Sequence, residues 1–68
     1  MNEKIARAGA RLLDDAGGVG SAADVSKKSG KPLANVRRYL HEAEKAGLVR
    51  GYPGVGREGI VYHVGGRR

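Results

Sequence analysis

The N-terminal segment, residues 2–16, has the apolar spacing of a helix. Its alanine and larger apolar residues recur at steps of three and four: Ile5, Ala8, Leu12, Leu13 and Ala16. This spacing places them on one helical face. Gly17 and Gly18 follow directly. Because glycine accepts the left-handed conformation of a C-terminal cap and costs about 1 kcal/mol inside a helix, the pair predicts the end of this first helix.

A second, shorter helix is predicted between Ser21 and Gly30. Ser21 is followed three residues later by Asp24, an arrangement that resembles a capping box with Asp in place of Glu. Asp24 also complements the positive end of a helix dipole. Gly30 ends the helix after about two turns, and a helix of that length is not stable alone in water. It must therefore pack against its neighbours.

A third helix is predicted to begin at Pro32, because the fixed φ and missing N–H of proline suit the first helical position. One face of this helix is marked by Leu33, Val36, Leu40 and Ala43. The helix is expected to run to Ala46, and Gly47 closes it. Two helices joined by a short turn that contains glycine form a helix-turn-helix unit.

From Leu48 onward the apolar period changes to two. Residues 48–52 and 60–64 are rich in Val, Ile, Leu and Tyr and flank the turn-rich segment 53–59. The pattern predicts a β-hairpin of two short strands with a long tip. The fold class is therefore mainly α, of the α+β type, with a three-helix helix-turn-helix core and a C-terminal two-stranded hairpin. Residues 1–64 form the predicted domain, and residues 65–68 a flexible basic tail.

Length and composition limit what this domain can do. The chain has 68 residues and no cysteine, which excludes a disulfide framework, a thiolate nucleophile and a thiolate zinc site, and favours the reducing cytoplasm. It contains no Phe or Trp, and nine of its apolar residues are alanine, so its core is small. No stretch approaches the ~18 apolar residues of a membrane span, and no membrane partner is expected.

Positive charge is concentrated in the C-terminal two thirds of the chain. Residues 1–24 carry three basic and four acidic side chains, whereas residues 25–68 carry ten basic and three acidic ones. The formal net charge of the whole chain is +6. Such a distribution favours a polyanion as the partner.

The segment from the third helix into the first strand carries a recurrent pattern. Its sequence is VRRYL over residues 36–40 and EKAGLV over residues 44–49. With three helices and a hairpin in this order, residues 5–64 resemble the winged helix-turn-helix family, which includes many bacterial regulators. In size the chain is similar to small regulators of the fimbrial-operon type. It departs from the family at Lys31 and Pro32, where an apolar residue and a Ser or Thr cap are usual.

The resemblance implies sequence-specific binding of double-stranded DNA and a role in transcription regulation. In such proteins the second helix of the helix-turn-helix lies in the major groove and reads base edges. The corresponding recognition helix here is about residues 32–46. The hairpin tip, residues 53–59, would form a wing near the DNA backbone or the minor groove.

Helical periodicity then selects candidate contact residues. At 100° per residue the inner face of the third helix is centred between Val36 and Leu40. The base-contact candidates on the other side are Ala34, Asn35, Arg38 and His41. An Asn amide can pair with adenine and an Arg fork with guanine, each worth about 1–3 kcal/mol of discrimination. The backbone-contact candidates are Lys27, Lys28, Lys31, Arg37, Lys45 and Arg50, and the wing candidate is Arg57.

Other interpretations of these residues remain open. The basic residues of the third helix can form a solvated face that pairs with Glu42 and Glu44, worth about 0.2–0.5 kcal/mol per pair. Winged helices also serve as protein–protein docking modules in larger complexes. A further open alternative is a homodimer, in which a second copy of the chain is the partner. Non-specific or RNA binding is less favoured, because the sequence lacks aromatic stacking platforms.

The sequence predicts no enzyme, cofactor or metal site. Gly54, Gly56 and Gly59 match G-x-G-x-x-G, but a dinucleotide-binding motif must open a helix, and here a predicted strand follows. His41 and His63 lie in different elements without further ligands, and no nucleophile is combined with a base and an orienting group. We expect a cytoplasmic, nucleoid-associated DNA-binding protein.

Overall fold

The described part of the chain contains three helices and three strands. The computed structural model describes residues 3–54 and 59–64. Helix α1 spans Glu3–Asp15, α2 spans Ala22–Ser29 and α3 spans Leu33–Lys45. Strands β1 (Val19–Ser21), β2 (Val49–Pro53) and β3 (Ile60–Val64) form one antiparallel sheet in the order β1-β3-β2. Together they make a compact α+β fold.

The predicted capping signals of α2 are confirmed. The amide of Asp24 donates to Ser21 Oγ at 3.2 Å, and the amide of Ser21 donates to Asp24 Oδ2 at 3.4 Å. At the other end Gly30 adopts a left-handed conformation with φ 75°, and its amide donates to the Ser26 carbonyl at 2.9 Å. Local sequence therefore fixes both ends of this helix.

Pro32 lies one position earlier in α3 than predicted. It is the N-cap rather than the first helical residue, and no side chain caps this end of the helix. Its φ of −58° suits the entry into a helix. Its carbonyl accepts a hydrogen bond from the amide of Val36 at 3.0 Å. Proline therefore starts α3 through its backbone alone.

The prediction of a two-stranded hairpin was wrong in the number of strands. β2 and β3 pair as predicted, with Gly51 opposite Tyr62. The other edge of β3 pairs with β1, where Gly20 lies opposite Tyr62. β1 has only three residues and a glycine at its centre, so it shows no alternating pattern in the sequence. Its pairing depends on a strand at the far end of the described chain.

The core is small and aliphatic, as the composition predicted. Its largest fully buried side chains are Leu13, Leu40, Val25, Val36 and Val49. In α1 the buried residues are Ala6, Gly9 and Leu13, whereas Ile5, Ala8 and Leu12 are only half-buried. The buried face of α1 therefore lies further toward the small residues Ala6 and Gly9 than the apolar spacing predicted.

The closest approach of two helices occurs at Gly9. A Cβ atom there would lie 2.6 Å from the carbonyl carbon of Tyr39, closer still to its oxygen, and 3.2 Å from the Cβ of Ala43. Only a residue without a side chain permits this separation. The absence of a side chain at Gly9 therefore permits this short distance between α1 and α3.

Gly9→Ala should lower the free energy of unfolding by about 1–3 kcal/mol, the usual cost of overpacking. The added methyl would meet the backbone of Tyr39, which cannot rotate away. The better helix propensity of alanine, about 1 kcal/mol, acts in the opposite direction and is the smaller effect. Urea unfolding followed by circular dichroism measures the change, with the exposed Lys4→Ala in the same helix as control. An unchanged or higher stability of Gly9→Ala would contradict the close crossing.

Candidate nucleic-acid interface

One face of α3 carries the predicted base-contact residues. Ala34, Asn35, Arg38 and His41 are all exposed, as are Arg37 and Lys45. The opposite face, formed by Val36, Leu40 and Ala43, is fully buried. The helical period predicted this exposure correctly. Contact of these side chains with DNA stays a prediction.

The two glutamates of α3 form no ion pair with the basic residues of the same helix. Glu42 is half-buried, and Glu44 is directed to the sheet, with its Oε2 3.1 Å from the place a Cβ at Gly51 would occupy. All residues of α3 are described, and no ion pair within it joins Arg37, Arg38 or Lys45 to a glutamate. One alternative from the sequence was a solvated face whose basic residues pair with Glu42 and Glu44. These ion pairs are not formed.

A groove of about 620 Å³ lies between α3, the start of α2 and β3. Its basic lining residues are Arg37, Arg38 and His41, and its apolar ones include Leu33, Ile60 and Tyr62. The apolar spacing predicts Leu33 on the buried face of α3, but its exposed fraction is 38%. Leu33 is the first residue of the helix. Its spacing from Val36 did not indicate that its side chain is partly exposed at this end of α3.

Tyr62 joins the groove to the core. It is buried, with an exposed fraction of 8%. Burial raises the pKa of its phenol, the carboxylate of Glu44 raises it further, and the guanidinium of Arg37 acts in the opposite direction by lowering it. A Cβ at Gly51 would lie 3.2 Å from Tyr62 Cε1. The ring of Tyr62 therefore lies against Gly51 of the neighbouring strand β2.

Tyr52 packs against His63 on the outer face of the sheet. Its ring lies edge-on to that of His63, with centroids 5.2 Å apart. Arg50 is opposite His63 in the strand register and exposed. Because successive side chains of a strand point to opposite faces, Arg50 lies on the other side of the sheet from Tyr62. The structure does not bring Arg50 into the groove.

The lysines around the turn between α2 and α3 have different surroundings. All three lysines are exposed, and Lys28 Nζ donates to the carbonyl of Ala16 at 3.1 Å, just after the C-terminal end of α1. The backbone of Lys31 is held by two serines, since its carbonyl accepts from Ser26 Oγ at 2.6 Å and its amide donates to Ser29 Oγ at 3.2 Å. The turn is thus fixed without the Lys31 side chain.

Several predicted features fall outside the described residues. Arg57 and the centre of the predicted wing lie in residues 55–58, and the basic tail is residues 65–68. In the described part of the chain, no helix has the length and apolar content needed to cross a membrane. No cluster of three potential metal ligands occurs among those same residues.

Comparisons of the chain with protein-family models, curated proteins and solved structures found no match.

Lys28→Met should lower the free energy of unfolding by about 0.3–1 kcal/mol, the typical value of a cation at a helix C-terminus. The variant keeps the aliphatic stem and removes the group that binds the Ala16 carbonyl. Thermal unfolding measures the effect. Lys27→Met is the matched control, because Lys27 is in the same turn of α2 and exposed. Equal midpoints for the two variants would show that the hydrogen bond contributes nothing.

The raised pKa of Tyr62 predicts a loss of stability at alkaline pH. The fold favours the neutral phenol, so its contribution is fully present below the unfolded-state pKa of about 10 and is lost as pH rises through the higher folded-state pKa. Tyr62→Phe should therefore lose less unfolding free energy than the wild type above about pH 10. Urea titrations at stepped pH test this, with Tyr52→Phe as control for the loss of a hydroxyl. The same alkaline decline in Tyr62→Phe and the wild type would contradict the assignment.

Proposed function

We propose that the chain is a winged helix-turn-helix protein that binds double-stranded DNA at specific sequences and regulates transcription by occupying them. One observation carries the proposal. The exposed face of α3 presents Asn35, Arg38 and His41 without an ion pair between its basic residues and the glutamates of the helix. Side chains that are not paired within the helix can bind an external acceptor without first breaking an internal contact.

Direct readout follows from the chemistry of this face. The major groove of B-DNA admits an α-helix, and each base pair presents a distinct pattern of donors and acceptors there. In the proposal Asn35 pairs with adenine, Arg38 with guanine, and Ala34 contacts a thymine methyl group. His41 lies one turn further along the same face and contacts a neighbouring base.

Phosphate contacts supply affinity without sequence information. In the proposal they come from exposed basic residues around α3: Lys27, Lys31, Arg37 and Lys45. Lys28 can add a contact only if its ammonium leaves the Ala16 carbonyl or is shared with it. Arg50 on the outer sheet face and Arg57 in the wing complete the proposed set, with the wing near the backbone or the minor groove.

A single module of this size binds a short site weakly, so the proposal includes a second copy of the chain on a two-fold symmetric site. The expected place of action is the bacterial nucleoid in the cytoplasm. No enzymatic step is part of the proposal.

One observation favours a second candidate function, a docking module for an acidic protein. Leu33 and Ile60 expose apolar surface in the same groove as Arg37 and Arg38. A peptide with acidic and apolar side chains would match both. We rank it second, because Asn35 and Arg38 on α3 match base edges and the outer part of that face carries no large apolar residue.

Selection of bound duplexes from a random pool tests the proposed function. We expect an enriched motif that contains guanine and adenine at fixed spacing, and a palindromic motif would show a dimer. Absence of any duplex binding at low salt would refute the proposal.

Two variants separate base contacts from phosphate contacts. Arg38→Ala should cost about 1–3 kcal/mol on the selected site and relax the preference at one base pair. Lys31→Gln should weaken binding to all duplexes and reduce the salt slope by about one. Fluorescence anisotropy over a salt series measures both. Lys4→Gln, on the exposed face of α1, is the control. A uniform loss across all sequences in Arg38→Ala would exclude it as a base contact.

A further inference from the structure

The groove between α3 and β3 has apolar features that the proposed base contacts leave unused. Leu33 projects from the first turn of α3, and Ile60, whose exposed fraction is 50%, lies at the start of β3. Single exposed aliphatic side chains are ordinary on protein surfaces. Here two of them border one groove together with Arg37, Arg38 and His41. This combination of apolar and basic side chains indicates the chemistry of the molecule that the groove binds.

The groove favours an occupant that carries negative charge and apolar surface in alternation. Among the described residues that line it are Arg37 and Arg38 and no Asp or Glu, so the lining complements an anion. The carboxylate of Glu44 lies outside the lining but acts on Tyr62. A free phosphate would satisfy the arginines and leave Leu33 and Ile60 in water. A DNA strand matches both, because each phosphate is followed by a deoxyribose whose C2′ atom bears only hydrogen.

Building on the proposed function, we propose that this groove holds one sugar–phosphate strand of the DNA. Arg37 binds a phosphate, and Leu33 and Ile60 pack against the C2′ side of the adjacent deoxyribose. A ribose would place its 2′-hydroxyl against these two side chains, where it would lose water without gaining a partner. The groove therefore selects DNA over RNA through the sugar.

A ribonucleotide scan tests this selection on the duplex obtained from the random pool. A single ribonucleotide replaces each nucleotide of one strand in turn, and then of the other, in otherwise unchanged DNA. At one or two adjacent positions the 2′-hydroxyl should be left without a hydrogen-bond partner, and the affinity should fall about three- to tenfold there. Elsewhere along the strand the change should stay below about twofold.

Variants with polar side chains assign the effect to this groove. Leu33→Gln and Ile60→Thr each supply a hydrogen-bonding group, so the loss caused by the ribonucleotide should fall below about twofold. Val19→Thr is the matched control, because Val19 is an aliphatic residue with a 46% exposed fraction that does not line the groove. Circular dichroism and thermal unfolding confirm that each variant folds.

A direct measurement covers the case in which a variant does not fold. In the wild-type complex, the methyl groups of Leu33 and Ile60 should show nuclear Overhauser effects to deoxyribose H2′ and H2″ protons. The outcomes distinguish the inference from the proposed function. If DNA binds but every ribonucleotide is tolerated, or if both variants keep the full loss of affinity caused by the ribonucleotide, the inference fails and the proposed function stands. If no duplex binds, the proposed function fails and the inference fails with it. If a synthetic peptide of alternating Glu and Leu shifts these methyl signals while duplex DNA does not, the occupant is a protein and the inference is overturned.

Discussion

The contact of α1 with α3 at Gly9 is the constraint on which the rest of the structure depends. With a core of small aliphatic side chains, the two helices must approach closely to exclude water. The absence of a side chain at Gly9 allows the backbone of α1 to reach Tyr39. One face of α3 is thereby committed to the core through Val36 and Leu40. The opposite face is presented outward as a consequence.

The sheet holds α3 from a second direction. Tyr62 extends from β3 toward the helix, and Gly51 leaves room for Glu44 and the tyrosine ring on the neighbouring strand. The same contacts place the carboxylate of Glu44 near Tyr62, where it and the guanidinium of Arg37 act in opposite directions on the pKa of the phenol. Packing and electrostatics are therefore linked where α3 meets the sheet.

The helices could be predicted because their signals are local. The capping box at Ser21 and the left-handed Gly30 depend on neighbours within a few residues, and so does the alternation of buried and exposed positions in α3. β1 could not be predicted, since three residues around a glycine become a strand only through pairing with β3. The role of Gly9 could not be predicted, since the backbone of Tyr39 that it approaches is far away in the sequence.

For the candidate site, the sequence indicated which residues of α3 face outward but not which other surfaces border them. Leu33 and Ile60 are far apart in the sequence and meet in one groove through the fold. The position of β3 has one more consequence. It is the last of the three described strands and the central strand of the sheet, so β1 and β2 are joined only through residues 60–64. The helices can therefore form from local contacts before the sheet, whose strands are far apart in the sequence.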